Sequence, residues 1–333
     1  MGTQQSVALS PLKRYAALFV TGLAMVLALP WAHSQELPNK PIRVVIPFVA
    51  GSSIDSRMRV MAQALSERLK QQVIVENKPG AGGALGAAYV AQAPADGTTW
   101  LFTNNSYAIS PYVYKNAGYD PLKSFAPLNR AYISALVVLV NSQLKANSLK
   151  ELVALAKAQP EALNYGSSGM GSLPHFAAEL FFQVAGIKPL HVPFKGDTQV
   201  LSEMLGGRIN IAFSGIPSAQ PHIKTGRLRA LAVTSPQRNG ALEAVPTMAE
   251  AGFPGYSDLI WTGFFVPAAT PKKTVEYLNH EISAMLRLPV IKAHMEATGA
   301  EPAPLSIAQY EAFIQGEVAR YARLVKDVGL KME

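Results

Sequence analysis

The sequence predicts an α/β protein of more than one domain with a mixed, mostly parallel sheet, and three observations lead to this prediction. Short β-branched runs alternate with segments in which apolar residues recur at helical spacing, an order typical of sheets flanked by helices. A strand, a Gly/Ser loop and a capped helix follow one another near residue 50 and again near residue 170. The 299 residues that follow a predicted leader suit two domains better than one.

Residues 1–34 have the pattern of a cleaved signal peptide. The dipeptide Lys13-Arg14 precedes an almost unbroken apolar run over 15–29, and Ala32-His33-Ser34 fits the small-x-small rule for cleavage. The run is too short to cross a bilayer comfortably, and no other segment is apolar enough to do so. We therefore expect a soluble periplasmic protein, cleaved near Ser34-Gln35 after export.

The composition excludes several kinds of partner and chemistry. The chain has no cysteine, so disulfides, lipid attachment at cysteine and thiol chemistry are not available to it. Its formal net charge of +8 falls to +6 without the two basic leader residues, which favours acidic small molecules as ligands. Because Lys and Arg are scattered, with no run of five, we expect no nucleic-acid binding.

The first strand–loop–helix unit is a candidate for a binding site. Ser52-x-x-Asp55 has the form of a capping box, which predicts a helix that begins at Ser52 with its N–H groups aimed across the loop. Such a helix end attracts anions, Gly51 lets the backbone approach a ligand, and Ser52 and Ser53 add hydroxyl donors. A loop that binds nothing, with Asp55 acting only as a cap, is the alternative.

Of two later segments that could form a ligand-binding loop, only the second fits a known kind. The glycine-rich stretch over 80–86 lacks the spacing of a dinucleotide-binding loop, so we expect no nucleotide cofactor. The third predicted strand ends at Asn104-Asn105-Ser106, on the carboxyl side where open α/β sheets place their ligands. Asn104 and Ser106 are therefore candidate ligand contacts.

The segment over 163–176 repeats the architecture of the first unit. A short strand leads to a Gly/Ser loop and then to a helix with Ser172 as a predicted cap and Pro174 in its first turn. One helix terminus contributes only about 0.3–1 kcal/mol to anion binding, whereas micromolar affinity needs about 8 kcal/mol. The two loops could therefore act as two jaws that share one anionic ligand, or the repetition could be a coincidence.

A secreted serine hydrolase is the rival class, and it needs a nucleophile beside a base. The segment Gly166-Ser167-Ser168-Gly169 lacks the Gly-x-Ser-x-Gly spacing of a nucleophile elbow. His175 could lie near Ser167 or Ser168, but the histidines show no metal-ligand spacing. We therefore expect no catalytic residue, no metal and no cofactor.

Several specific motifs follow one another along the chain. They are Lys40-Pro41-Ile42-Arg43, Pro47-Phe48 with Gly51, Asp55 and Arg59, Asn77-Lys78-Pro79-Gly80-Ala81-Gly82-Gly83, Gly166-Ser167 with Gly169, Gly171, Ser172 and His175, His191-Val192-Pro193-Phe194-Lys195-Gly196, Gly226-Arg227-Leu228-Arg229-Ala230-Leu231-Ala232-Val233-Thr234-Ser235, and Pro246-Thr247-Met248-Ala249-Glu250-Ala251-Gly252. With these motifs, from about Pro38 to its C-terminus, the chain resembles the periplasmic solute-binding proteins of tripartite tricarboxylate transporters, the Bug family.

The resemblance implies two α/β domains that close like a type II Venus flytrap, each with a mixed, mostly parallel sheet. It implies a first domain of 35–138 plus 263–333 and a second of 139–262, after removal of the signal peptide 1–34. The implied function is capture of a small organic acid by a monomer that delivers it to membrane permease subunits. The alternatives for this acid are a mono- or a dicarboxylate, either aliphatic or aromatic. A binder that passes its signal to a sensor kinase remains an alternative.

The resemblance also places the ligand carboxylate between the two Gly/Ser loops. Together with the strand-end residues, it gives the candidate ligand-binding set Phe48, Ala50, Gly51, Ser52, Ser53, Asp55, Asn104, Ser106, Ser167, Ser168, Gly169, Gly171, Ser172, His175 and Ser214. The sequence departs from the family at Ser52-Ser53, where Gly-Gly is usual, and at Ser214, where many relatives carry Asp. A ligand amine would lack that Asp as a partner.

Overall fold

A computed structural model of the chain describes Gly2, 37–160, 162–254, Tyr256 and 258–329. Within that part, the residues from Leu37 onward belong to one compact unit. Apart from Gly2, the predicted signal peptide and its cleavage site lie outside the described residues.

Two sheets and their flanking helices make up the described fold. The strands are β1 (Ile42–Ile46), β2 (Val73–Asn77), β3 (Thr99–Asn104), β4 (Phe125–Ser134), β5 (Leu136–Asn141), β6 (Asn164–Ser167), β7 (Leu190–Pro193), β8 (Ile211–Gly215), β9 (Leu228–Val233), β10 (Ile260–Pro267) and β11 (Ala300–Pro302). The strand order is β11-β4-β10-β3-β1-β2 in the first sheet and β7-β6-β8-β5-β9 in the second.

Helices connect most of these strands. They are α1 (Ser53–Leu69), α2 (Ala84–Ala91), α3 (Ser106–Val113), α4 (Leu149–Ala158), α5 (Leu173–Ala185), α6 (Asp197–Leu205), α7 (Ile216–Lys224), α8 (Lys272–Leu286), α9 (Pro289–Ala297) and α10 (Ile307–Val328), with short 3-10 turns at Ala81–Gly83 and Gly240–Leu242. We call 42–134 and 260–329, which contain the first sheet, the first lobe, and 136–233, which contain the second sheet, the second lobe.

Both sheets are mixed. Strand β1 runs parallel to β2 and β3, and β6 runs parallel to β7 and β8. The pairs β10–β3, β10–β4, β11–β4, β5–β8 and β5–β9 are antiparallel. The predicted α/β class with mixed sheets flanked by helices is confirmed, although among the described strands the five antiparallel pairs outnumber the four parallel ones. Strands β5 and β10 enter their sheets from the other lobe, without the crossover helix that joins parallel neighbours.

The chain passes between the lobes twice. Ala135 alone separates β4 from β5, and 234–259 lead from β9 back to β10. The predicted domain boundaries after 138 and after 262 fall inside β5 and β10. The division into domains at those two residues stays a prediction.

One cluster of buried side chains continues through both lobes. It includes Tyr107 and Phe265 of the first lobe, whose rings stack with centroids 4.5 Å apart. It also includes Phe176 of α5, which packs edge-on against Tyr321 of α10 with centroids 5.1 Å apart. Helix α10 therefore ties the second lobe to the first through apolar contacts.

Helix α1 begins next to the loop that follows β1. Ile54, Met58 and Met61 are buried at helical spacing, as the apolar pattern predicts. Ser52 is the N-cap residue, but its hydroxyl caps no N–H group. The predicted capping box is wrong, because the Asp55 carboxylate accepts the N–H of Gly51, 2.9 Å away and outside the helix. The Ser52 hydroxyl is thereby left for another partner.

Candidate ligand-binding site between the lobes

A cavity of about 640 Å³, open solvent included, lies between the two lobes. Most of its lining is apolar, with a few polar groups that converge on it, the composition typical of a small-molecule site. The lining residues are Phe48, Val49, Ser52, Ser53, Ile54, Arg57, Asn104, Tyr132, Ser134, Leu136, Ser168, Leu173, Pro174, Gly196, Asp197, Gly215, Ile260 and Thr262.

Two hydroxyl groups of this lining are buried and lack a partner. Ser52 is 6% exposed and Ser134 is 6% exposed. Neither Oγ atom forms a hydrogen bond with any described residue. A buried polar group without a partner costs about 1–3 kcal/mol, so such groups in a cavity indicate a ligand or water that they contact.

Arg57 adds a buried positive charge to the same cavity. Its side chain is on the buried face of α1, and the residue is only 3% exposed. The guanidinium lies 4.9 Å from the ring centroid of Tyr132, and its Nε donates to Thr298 Oγ1 at 3.1 Å. A second nitrogen donates to the backbone oxygen of Thr298. No Asp or Glu of the described chain forms an ion pair with Arg57, so its charge is available to an anion.

Asp55 organises the loop and does not line the cavity. Its carboxylate accepts Nε of Arg59 at 3.0 Å and Nδ2 of Asn77 at 3.0 Å, in addition to the N–H of Gly51. Burial by itself would raise the pKa of Asp55, but these hydrogen bonds outweigh it and hold the pKa below its ordinary value. The negative charge is therefore neutralised within the loop, away from the bound anion we expect.

The second Gly/Ser loop reaches the cavity through Ser168, Leu173 and Pro174. Its helix end differs from that of α1, because its first-turn donors are used inside the protein. The N–H of Leu173 donates to Ser106 Oγ at 3.0 Å, the N–H of His175 donates to Ser172 Oγ at 3.4 Å, and Pro174 has no N–H. Of the two helices that begin at the predicted jaws, only α1 therefore has an N-terminus that can attract an anion.

Ser167 and His175 belong to a buried cluster behind that loop. Ser167 Oγ lies 2.7 Å from His191 Nε2, and the rings of His175 and His191 stack with centroids 4.1 Å apart. Tyr165 also stacks on His191, with ring centroids 4.7 Å apart. Burial lowers the pKa of His175 to about 3, with a contribution from His191, and lowers the pKa of His191 to about 4. Both rings are neutral at pH 7, and the cluster does not line the cavity.

The cavity brings together only part of the predicted set. Phe48, Ser52, Ser53, Asn104 and Ser168 line it. The predicted residues outside the lining are Ala50, Gly51, Asp55, Ser106, Ser167, Gly169, Gly171, Ser172, His175 and Ser214. Several of these support the lining from behind, as Ser106 does for Leu173.

Sequence reasoning missed Arg57, Ser134 and Asp197. For Arg57 a signal was available, because a charged residue at 57 shares a helix face with the apolar positions 54, 58 and 61. Asp197, the first residue of α6, accepts a hydrogen bond from Ser214 Oγ at 2.8 Å and lines the cavity itself. Burial raises the pKa of Asp197 to about 6, despite hydrogen bonds from Ser214, Ser218 and the N–H of Gly215.

The family model described as "tripartite tricarboxylate transporter family receptor" (TctC) matches residues 57–330 of the chain. The chain belongs to this receptor family. Protein BugT of Bordetella pertussis is 33% identical over 298 residues, which cover 89% of this chain and 91% of BugT. A UPF0065 protein from the tcbD-tcbE intergenic region of Pseudomonas sp. strain P51 is 31% identical over 93% of this chain and 94% of its own length.

Solved structures of similar proteins support the same assignment. The periplasmic binding protein BugD has a TM-score of 0.85 at 30% identity, over 89% of this chain and 100% of BugD. An R. palustris protein solved with adipate has a TM-score of 0.85 at 32% identity, over 89% and 99% of the two chains. MatC from Rhodopseudomonas palustris, solved with bound malate, has a TM-score of 0.82 at 27% identity, over 86% and 99%. The resemblance to the Bug family and the two-domain periplasmic binding protein fold are therefore confirmed.

The receptor family is one of periplasmic binding proteins and not of enzymes. Across the part of this TctC receptor that the structure describes, none of the helices has both the length and the apolar character needed to cross a membrane. Nor do the described His, Asp and Glu side chains form a group of three or more that could hold a metal ion.

Proposed function

We propose that this receptor captures a small organic acid in the cavity between its lobes and delivers it to the permease subunits of a tripartite tricarboxylate-type transporter. It does so as a monomer in the periplasm, after cleavage of the signal peptide near Ser34-Gln35. The ligand carboxylate lies at the start of α1, and the lobes, divided near 138 and 262, close over it.

The observation that carries the proposal is the set of buried polar groups that face the cavity from the first lobe. The hydroxyls of Ser52 and Ser134 have no partner within the described chain, and the Arg57 guanidinium has no carboxylate. A carboxylate would accept from all three, at about 1.5–3 kcal/mol for each charge-assisted hydrogen bond. The N-terminus of α1 would add up to about 2 kcal/mol for a partly buried anion. Two similar proteins were solved with adipate and with malate, both of which are carboxylates.

The hydrolase alternative has one specific observation in its favour, the 2.7 Å contact between Ser167 Oγ and His191 Nε2. Ser167 is 1% exposed and does not line the cavity, so a substrate bound there would not reach its hydroxyl. No described carboxylate orients His191, which a nucleophile–base pair needs. Binding without turnover is therefore the function that the geometry supports. Delivery to a sensor kinase in place of a permease would use the same site.

The first prediction tests the role of Arg57. A thermal-shift screen of mono- and dicarboxylates and aromatic acids identifies a ligand, which at 100 times its Kd adds about 2.7 kcal/mol of stability. Calorimetry on the Arg57→Met variant should then show affinity reduced by about 10- to 100-fold, because a charge-assisted hydrogen bond is lost. Arg323→Met removes an exposed arginine of α10 and is the matched control. Unchanged affinity in Arg57→Met, or release of a reaction product by the wild-type protein, would contradict the proposed function.

A further inference from the structure

Asp197 presents a negative charge to the cavity from the second lobe. It is the first residue of α6, it lines the cavity, and it is neither fully buried nor fully exposed. Ser214 Oγ donates to it at 2.8 Å, and Ser218 and the Gly215 N–H also donate. No Lys, Arg or His of the described chain forms an ion pair with it. These donors are neutral and lower the pKa of Asp197, but burial outweighs them and raises the pKa to about 6, so the carboxylate has hydrogen bonds but no counter-charge among the described residues.

Arg57 carries the opposite charge on the other side of the cavity and, like Asp197, has no counter-charge within the described chain. It lines the same cavity from the first lobe, is 3% exposed, and likewise has no oppositely charged partner in the described structure. The two residues form no ion pair with each other, although they face one cavity. Two opposite charges therefore flank a largely apolar space, each without a counter-charge.

We propose that the ligand of this receptor carries a protonated amine as well as a carboxylate, and that Asp197 accepts the amine. The proposal deepens the proposed function and rests on it, since the carboxylate of the same ligand occupies the site at Ser52, Ser134 and Arg57. An amino acid of this kind neutralises both walls at once, and its own two charges are neutralised in turn.

Other acids fit these walls less well. A monocarboxylate without an amine would leave Asp197 unpaired beside an apolar chain, with the desolvation cost unrelieved. A dicarboxylate long enough to reach α6 would place its second carboxylate against that of Asp197, and like charges so close cannot both stay ionised. Asp197 is thus a specificity-determining residue that selects amino acids over the corresponding plain acids and diacids.

The test compares ligands of matched size on the full mature chain by titration calorimetry at pH 7.5. The probes are γ-aminobutyrate, δ-aminovalerate and norvaline, measured against butyrate, valerate and glutarate. We expect at least one amino acid to bind about 10- to 100-fold more tightly than its deaminated counterpart, the gain of one charge-assisted hydrogen bond. If valerate or glutarate binds as tightly as every amino acid of the panel, the amine proposal is overturned while the carboxylate site stands. If no acid of any kind binds, the proposed function fails as well.

A variant pair then assigns the selectivity to one residue. Asp197→Asn should remove most of the amino-acid preference, because affinity for the amino acid falls with loss of the contact to the amine. Affinity for valerate should stay the same or rise, because no carboxylate is then left unpaired beside the apolar chain. Asp327→Asn makes the same change of charge at an exposed position of α10 and should keep the preference in full. Retention of the preference by Asp197→Asn would overturn the assignment, and valerate binding shows directly that the variant is folded.

Discussion

Three side chains in the first lobe support the proposal that the cavity between the lobes binds an organic acid. Ser52 and Ser134 are buried with unpartnered hydroxyls, and Arg57 is buried with an unpaired charge. Each of these costs free energy in the empty protein, and each is the kind of group that a carboxylate satisfies. The cost in the empty state and the gain in the bound state thus come from the same atoms.

Ser52→Ala should weaken acid binding by about 1–3 kcal/mol without lowering the stability of the empty protein. The hydroxyl has no partner to lose in the empty state, and its removal relieves an unsatisfied buried group. Calorimetry measures the affinity, and chemical denaturation measures the free energy of unfolding. Ser172→Ala is the matched control, because Ser172 is also a helix N-cap but its hydroxyl accepts the His175 N–H. That control should cost about 0.5–2 kcal/mol of stability. A loss of stability in Ser52→Ala with unchanged affinity would show that Ser52 acts as an ordinary cap.

At the scale of elements, α1 and α5 show how one sequence pattern serves two purposes. Both helices follow a strand and a Gly/Ser loop, and both have serine at the N-cap position. In α5 the serine, the proline and Ser106 of the first lobe satisfy or remove the first-turn donors. In α1 no side chain caps the first turn, so that end keeps its anion-binding capacity.

The stacked rings behind the second loop should make the stability of the protein depend on pH. His175 and His191 have folded-state pKa values of about 3 and about 4, whereas an unfolded histidine titrates near 6.5. The unfolded chain binds more protons between these values, so stability is full above about pH 6.5 and falls as the pH drops towards 4. For His191 alone the loss reaches about 3 kcal/mol at pH 4.

His191→Phe keeps a ring in the stack and removes this titration, so the fall in stability between pH 6.5 and 4 should become shallower. Urea denaturation at several pH values gives the two profiles. His280→Phe, at an exposed position of α8, should keep the wild-type slope. The carboxyls of the partly exposed Asp197 and the buried Asp258, both with pKa raised to about 6, act in the opposite sense and remain in every variant. If stability falls equally steeply with decreasing pH in the wild type and in His191→Phe, the stacked histidines are not the source of the pH dependence.

At the scale of the molecule, the two lobes touch across the cavity. Ser53 Oγ lies 2.9 Å from Ser218 Oγ of α7, and the Leu173 N–H donates to Ser106 Oγ. Gly196 of the second lobe approaches Val49 of the first so closely that an added Cβ would lie 2.2 Å from Val49 Cγ2. Its φ of 178° is extended backbone, so only space, and not conformation, requires glycine there.

The methyl group added by Gly196→Ala should therefore keep the two lobes from approaching each other as closely as in the wild type. We expect the affinity for the acid to fall at least about tenfold, because closing the lobes over the ligand would cost a steric clash. The empty protein should unfold at nearly the wild-type denaturant concentration, because the two lobes can move apart without a ligand and so avoid the clash. Small-angle scattering should show a larger radius of gyration for ligand-saturated Gly196→Ala than for the ligand-saturated wild type. Gly240→Ala, where an added Cβ meets nothing within 4 Å, is the control. Wild-type affinity in Gly196→Ala would show that the site does not need this approach of the lobes.

The sequence alone determined the α/β class, the receptor family and the place of the first loop, because these depend on local periodicity and on motifs that stay together along the chain. Ser52, Ser53, Asn104 and Ser168 could be predicted as cavity residues, since they lie at strand and helix ends next to recognisable turns. Only the tertiary structure decided which polar groups are free to bind. One first-turn donor of α5, the Leu173 N–H, is satisfied by Ser106, a residue distant in sequence. Arg57, Ser134 and Asp197 meet in one cavity only after both sheets have formed. Hydrogen-bond satisfaction and burial are properties of packed neighbours, and the linear sequence does not specify which neighbours those are.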